Sequence, residues 1–130
     1  MKKIITTILS TLLIFSSPGI SQVMIDFGSQ PTQQQLLQVI DSATGNKDYS
    51  TALRVANNTV KLFPTLAAAY YYRAIALYNL GNSKDARLDF EQARKLYVKQ
   101  LKSAKISPQE KSEARTKLEI VEQHLLLFKP

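Results

Sequence analysis

Apolar residues recur along most of the chain at the three- and four-residue spacing of amphipathic helices, with polar residues between them. Within residues 32–128 the pattern is interrupted four times by residues that end helices or form turns, so it predicts five helices. No alternating run favours a strand, and no Asn-Gly or Asp-Gly pair marks a hairpin. The predicted fold class is therefore all-α.

Several helix boundaries have specific start and stop residues. Thr32 and Ser107 each begin a capping-box pattern, which predicts the start of the first and the last helix. Gly45 and Asn46 are expected to end the first helix, because glycine adopts the left-handed conformation without a Cβ clash. The fourth helix is expected to begin near residue 83 and to continue for about six turns, to Ala104.

The first 21 residues have the pattern of a secretory leader. Lys2 and Lys3 precede an uncharged, mostly apolar segment at residues 4–15, and small and helix-breaking residues follow. The apolar segment is shorter than the about 20 residues that span a bilayer. We therefore predict a signal peptide at 1–21 and a periplasmic or secreted location, with an uncleaved anchor or a buried strand as the alternatives. A linker at 22–31 and a helical domain at 32–130 would follow.

The helical region contains an internal period of 34 residues, which aligns the first two helices with the next two. Leu36 aligns with Tyr70, and Ala52 aligns with Ala86. Phe90 follows Ala86 in the A-x3-F spacing of the second helix of a known repeat. This helix–turn–helix pattern resembles the tetratricopeptide repeat (TPR) family, strongly in the second copy and less strongly in the first.

The resemblance implies an α-solenoid fragment with repeats at about 32–65 and 66–98, closed by a capping helix at 108–128. The alternative is a five-helix bundle with a chance period. The capping helix has more apolar residues than one packing face requires, and the excess residues are Ile120, Leu126 and Leu127. We therefore expect this helix to contact a second copy of the chain, giving a homo-oligomer, or another partner.

Members of this family bind peptides in a concave groove, so the resemblance implies a non-enzymatic protein–protein interaction or scaffold module with a peptide or helix as its ligand. The matching positions form an apolar, tyrosine-lined groove, and they include Gln34, Leu37, Asp41, Tyr71, Ile75, Tyr78 and Asn79. Some members hold a C-terminal carboxylate with a Lys, Asn and Arg clamp. The corresponding residues here, Leu37, Asp41 and Tyr72, do not fit a carboxylate. The alternative role for the tyrosines is packing between the repeats.

Composition limits the chemistry of the chain. It has no cysteine and a single histidine, which excludes disulfides, thiol catalysis and metal sites built on cysteines or several histidines. No catalytic pair of residues and no phosphate-binding glycine loop is present, so we predict no catalytic residue, no metal, no cofactor and no enzymatic activity. His124 is expected to be partly buried with a hydrogen-bond partner.

The positive charge is concentrated in one segment. The chain has 17 basic and 10 acidic residues and a formal charge of +7. Residues 92–109 contain no acid and five cations, which are Arg94, Lys95, Lys99, Lys102 and Lys105. The segment suggests a second function, in which an envelope-associated structural protein binds an anionic partner or a lipid surface peripherally. The alternative is an ordinary solvated face. Nucleic acid is not an expected partner, because no recognition motif is present.

Overall fold

The structure is a computed structural model that describes residues 30–129. The predicted signal peptide and the linker up to residue 29 lie outside the described residues. Residues 30–129 form five α-helices and a short 3-10 turn without any strand, which confirms the all-α prediction. The elements are α1 (Gln33–Gly45), α2 (Tyr49–Leu62), α3 (Ala67–Asn79), α4 (Ser83–Leu101), α5 (Pro108–Leu125) and the turn (Leu126–Phe128). Among these described helices, none combines the length and apolar character needed to cross a membrane.

Both predicted capping boxes form. The Thr32 hydroxyl accepts a hydrogen bond from the Gln35 N–H at 3.1 Å, and the Gln35 side chain accepts one from the Thr32 N–H at 2.9 Å. Ser107 and Glu110 make the same reciprocal pair at the start of α5, at 3.2 and 3.0 Å. These bonds satisfy N–H groups that have no partner within the helix, so the predicted starts of α1 and α5 are confirmed.

The two helix pairs have equivalent turns, 34 residues apart. Lys47 and Gly81 each adopt a positive φ, of 62° and 94°. The next residues, Asp48 and Asn82, each donate a backbone hydrogen bond of 2.8 Å to the carbonyl five residues earlier, and each then caps the following helix. The first helix ends at Gly45 with Asn46 as its C-cap, as expected, but the left-handed residue is Lys47 and not Gly45. The repeat relation explains the difference, since Lys47 occupies the position of Gly81.

α4 is one turn shorter than expected. It ends at Leu101, and Ala104 lies exposed in the loop that follows. The Ser103 hydroxyl accepts a hydrogen bond from the Lys105 N–H at 3.1 Å, a local bond that competes with a further helical turn. The small side chain of Ala104 buries too little apolar surface to oppose that competition. The basic segment 92–109 therefore spans the second half of α4, the loop and the start of α5.

The core consists of two apolar clusters, and each cluster is formed mainly by one helix pair. The first cluster contains Leu36, Ile40, Ala43, Ala52, Val55, Ala56 and Ala76. The second cluster contains Ala67, Ala74, Ala86, Phe90, Ala93, Tyr97, Ala114 and Val121. α3 contributes Ala76 to one cluster and Ala74 to the other, so it packs on two sides. Because alanine is small, these positions let the neighbouring helices approach closely.

A partly buried ion pair links the second helix pair. Arg73 of α3 donates two hydrogen bonds to the Asp89 carboxylate of α4, at 2.6 and 2.9 Å. A third bond joins Arg73 to the Asn57 side chain of α2 at 3.2 Å, and the guanidinium lies 5.5 Å from the centre of the Tyr70 ring. The hydrogen-bonded carboxylate raises the pKa of Arg73. This network connects α2, α3 and α4 at one place in the core.

Candidate functional site

α1 and α3 contact each other and leave an open pocket of about 400 Å³ between them. Its residues come from α1 except for one tyrosine of α3, and they are Gln33, Gln34, Leu37, Gln38, Asp41 and Tyr72. Three glutamine amides and one carboxylate give the pocket a polar wall. Leu37, which is half-buried, provides its main aliphatic surface.

One hydrogen bond joins the two sides of the pocket. The Tyr72 hydroxyl donates to Asp41 Oδ1 at 2.7 Å. Burial, followed by this bond to Asp41, raises the pKa of Tyr72 well above its ordinary value, so the phenol is harder to deprotonate than an ordinary tyrosine. Asp41 is exposed, and no cation within residues 30–129 forms an ion pair with it. The carboxylate is therefore oriented by Tyr72 and open to a ligand.

The pocket unites three predicted groove residues, Gln34, Leu37 and Asp41, with Tyr72, which the predicted groove omits. The sequence predicts Tyr72 either at the third position of the carboxylate clamp or as a packing residue between the repeats. The structure brings the three clamp positions, Leu37, Asp41 and Tyr72, together. The repeat contains the information needed to place Tyr72. The repeat position equivalent to Asp41 is Ile75, and Tyr72 lies three residues, or about one helical turn, before it on α3. Tyr72 is therefore on the same side of α3 as Ile75, and its hydroxyl reaches Asp41 on the neighbouring helix.

The aromatic half of the predicted groove is covered by the C-terminal part of the same chain. The Tyr71 ring lies 5.8 Å from the His124 ring, and the Tyr78 ring lies 5.7 Å from the Phe128 ring, both edge to face. Burial raises the pKa of Tyr71, whereas Tyr78 remains 41% exposed at the rim. The open surface therefore differs from the apolar, tyrosine-lined groove that the sequence predicts, because Tyr71 contributes mainly to packing.

The remaining two groove residues also lie outside the pocket. Ile75 is half-buried against the second core cluster. Asn79 is exposed at the end of α3, and its side-chain amide donates a hydrogen bond of 2.8 Å to the Ile75 carbonyl. One amide donor of Asn79 is thus used within its own helix.

His124 is half-buried with a hydrogen-bond partner, as predicted. Its ring stacks on Phe90 at 4.9 Å between centroids, and its Nδ1 lies 2.9 Å from the Ile120 carbonyl oxygen. The stack fixes α5 against α4. Within residues 30–129, no group of three or more Asp, Glu or His side chains is placed to hold a metal ion.

The predicted basic residues are distributed over two elements. Lys95 and Lys99 are exposed on α4, Lys102 caps its C-terminus, and Lys105 lies in the following loop. Arg94 is different, because its guanidinium lies 3.7 Å from the Glu122 carboxylate of α5. In the part of the chain that the structure describes, none of the four lysines forms an ion pair.

Comparison of the chain with protein-family models, with curated proteins and with solved structures found no match.

Proposed function

We propose that this protein is a non-enzymatic protein–protein interaction module of the TPR type, which binds a peptide or a helix between α1 and α3. The observation behind this proposal is the open pocket in which Tyr72 orients the Asp41 carboxylate. A concave site with a few positioned polar groups is the usual form of a recognition site. The equivalent turns at Lys47 and Gly81 support the repeat architecture on which the comparison with the TPR family depends.

The pocket chemistry favours a ligand that carries a cation. Asp41 is the only charged residue among the residues that line the pocket, and it attracts a lysine, an arginine or an amino terminus. The same charge repels a C-terminal carboxylate. The three glutamines offer donors and acceptors to the backbone of an extended segment, and Leu37 offers contact area to an apolar side chain.

We also propose that the chain acts after export to the periplasm or the exterior, because residues 1–21 have the leader pattern. The intact mass of the protein recovered from its host tests this step. Loss of residues 1–21 would support cleavage after Ser21, whereas a full-length mass would favour a retained anchor.

A random peptide library, selected on the full chain, supplies probes for the pocket. We expect the selected peptides to be enriched in lysine or arginine. Their affinity, measured by fluorescence anisotropy, should fall by at least about 10-fold in Leu37→Glu and in Asp41→Lys, since both substitutions change residues that line the pocket.

Leu62→Glu is the matched control, because Leu62 is 48% exposed on α2 and does not line the pocket. The control should bind the same peptides with unchanged affinity. A library that yields no binding peptide, or peptides that bind Leu37→Glu as tightly as the native chain, would contradict the proposed function.

A further inference from the structure

α4 has a row of exposed residues that is basic at one end and apolar at the other. Lys95, Lys99 and Lys102 follow one another at steps of four and three, so they share one side of the helix. Leu88 precedes Lys95 by seven residues on the same side and is 55% exposed. At about 1.5 Å per residue, the three lysines extend over about 10 Å of the helix axis.

The acids near this row are engaged elsewhere. Asp89 is bound to Arg73 in the core, at 2.6 Å. Glu91 lies 3.3 Å from Arg87 on the surface of the same helix. The positive charge of the three lysines is therefore not neutralised by an ion pair within residues 30–129.

The 34-residue period aligns two cations of α2 with residues of this row. Lys61 occupies the position of Lys95, and Arg54 occupies the position of Leu88. Both are exposed, and α2 contains no acid between Tyr49 and Leu62. Because the two helix pairs have equivalent turns, we expect equivalent positions of α2 and α4 to face the same side. The basic face is defined as Arg54, Lys61, Lys95, Lys99 and Lys102.

We propose that the basic face docks this protein peripherally on an anionic phospholipid surface. Charge complementarity supports this partner, because an acidic membrane surface attracts clustered lysines with a free energy of about 1 kcal/mol for each. Four of the five cations are lysines, whose flexible point charges suit mobile headgroups better than a fixed pattern of phosphates. The exposed Leu88 offers an apolar side chain to the interfacial region at one end of the row.

A lipid surface fits the basic face better than a nucleic acid does. The two aromatic residues of α4, Phe90 and Tyr97, are buried, so they are not available for stacking on bases. The basic face therefore offers charge without an exposed aromatic side chain from α4.

Sedimentation of the full chain with vesicles tests the proposal. Phosphatidylcholine vesicles with and without phosphatidylglycerol are the probes, and the variant is Lys95→Gln/Lys99→Gln/Lys102→Gln. We expect the native chain to prefer the anionic vesicles and to lose that preference at high salt. The triple variant should partition onto anionic vesicles about 100-fold more weakly.

The control variant Lys47→Gln/Arg115→Gln/Lys129→Gln removes the same charge from exposed positions outside the basic face. The control variant should retain most of the binding to anionic vesicles. The leader is present in every variant, so the leader cannot account for a difference between the variants. Equal losses in the two triple variants would overturn the proposal in favour of a net-charge effect. Equal binding to neutral and anionic vesicles, or binding to duplex DNA that is tighter than to vesicles, would also overturn it.

Discussion

Replacing Asp89 with alanine should destabilise the fold more than any comparable change to a surface ion pair. Asp89 accepts two hydrogen bonds from Arg73, and the two side chains are 10% and 23% exposed. Removing one partner of a fully buried pair costs about 3–5 kcal/mol, and an exposed pair contributes about 0–1 kcal/mol. The partial exposure of Arg73 places Asp89→Ala between these limits, so we expect a loss of about 2–3 kcal/mol.

Chemical denaturation monitored by circular dichroism measures this loss. For a domain of this size it corresponds to a decrease in Tm of roughly 10–20 °C. Glu91→Ala is the control, because its partner Arg87 is on the same helix with side chains that are 32% and 57% exposed. The control should change the free energy of unfolding by less than about 0.5 kcal/mol.

A double-mutant cycle separates the pair from other effects of the substitution. Asp89→Ala, Arg73→Ala and the double variant should give an interaction energy of more than about 1 kcal/mol. The reason is that either single substitution already breaks the bidentate contact, so the second substitution has no contact left to remove. If Asp89→Ala costs no more than Glu91→Ala, or if the two substitutions are additive, the ion pair does not stabilise the link between α3 and α4.

Two further predictions concern a helix cap and the response to alkali. Ser107→Ala should lower the free energy of unfolding by about 1 kcal/mol, since it removes the side-chain acceptor at the start of α5, and an unchanged Tm would contradict this. Stability should also fall as the pH rises above about 10, because burial raises the pKa of Tyr71, Tyr72 and Tyr97 in the folded state only. Above that pH these tyrosines lose their protons in the unfolded chain but keep them in the folded chain, which favours unfolding. Below that pH the tyrosines are protonated in both states. Urea unfolding at about pH 9 and about pH 11 measures the effect, and equal stabilities would contradict it.

The features that the sequence predicts best are those decided within a few residues. The capping boxes at Thr32 and Ser107 depend on side chains three positions apart, so they could be predicted from local spacing alone. The left-handed residue of the first turn was missed, since glycine is the usual choice and Gly45 stands two residues from the correct position. Only alignment of Lys47 with Gly81 identifies it, which shows that the repeat was more informative than residue type there.

The lining of the pocket could not be predicted in the same way, because it depends on where the C-terminal helix lies. α5 begins 41 residues after the start of α3 rather than 34, since α4 and the loop after it are longer than their counterparts in the first pair. No local pattern reports how that extra length places His124 against Tyr71, or Phe128 against Tyr78. The sequence therefore predicts groove positions on α1 and α3. It does not predict which of these positions the C-terminal part of the chain covers.

The two proposed surfaces use different helices of the repeat. The pocket is lined by the first helix of each pair and contains one acid, whereas the basic face belongs to the second helix of each pair. Attachment to an anionic surface through α2 and α4 would consequently leave the residues between α1 and α3 accessible to a ligand. The charges of the membrane surface and of Asp41 would also attract the same kind of ligand. An anionic membrane concentrates cationic peptides near its surface, and a cation is the group that we propose Asp41 binds. Docking and recognition would therefore reinforce each other through the ligand, without any conformational coupling between the two surfaces.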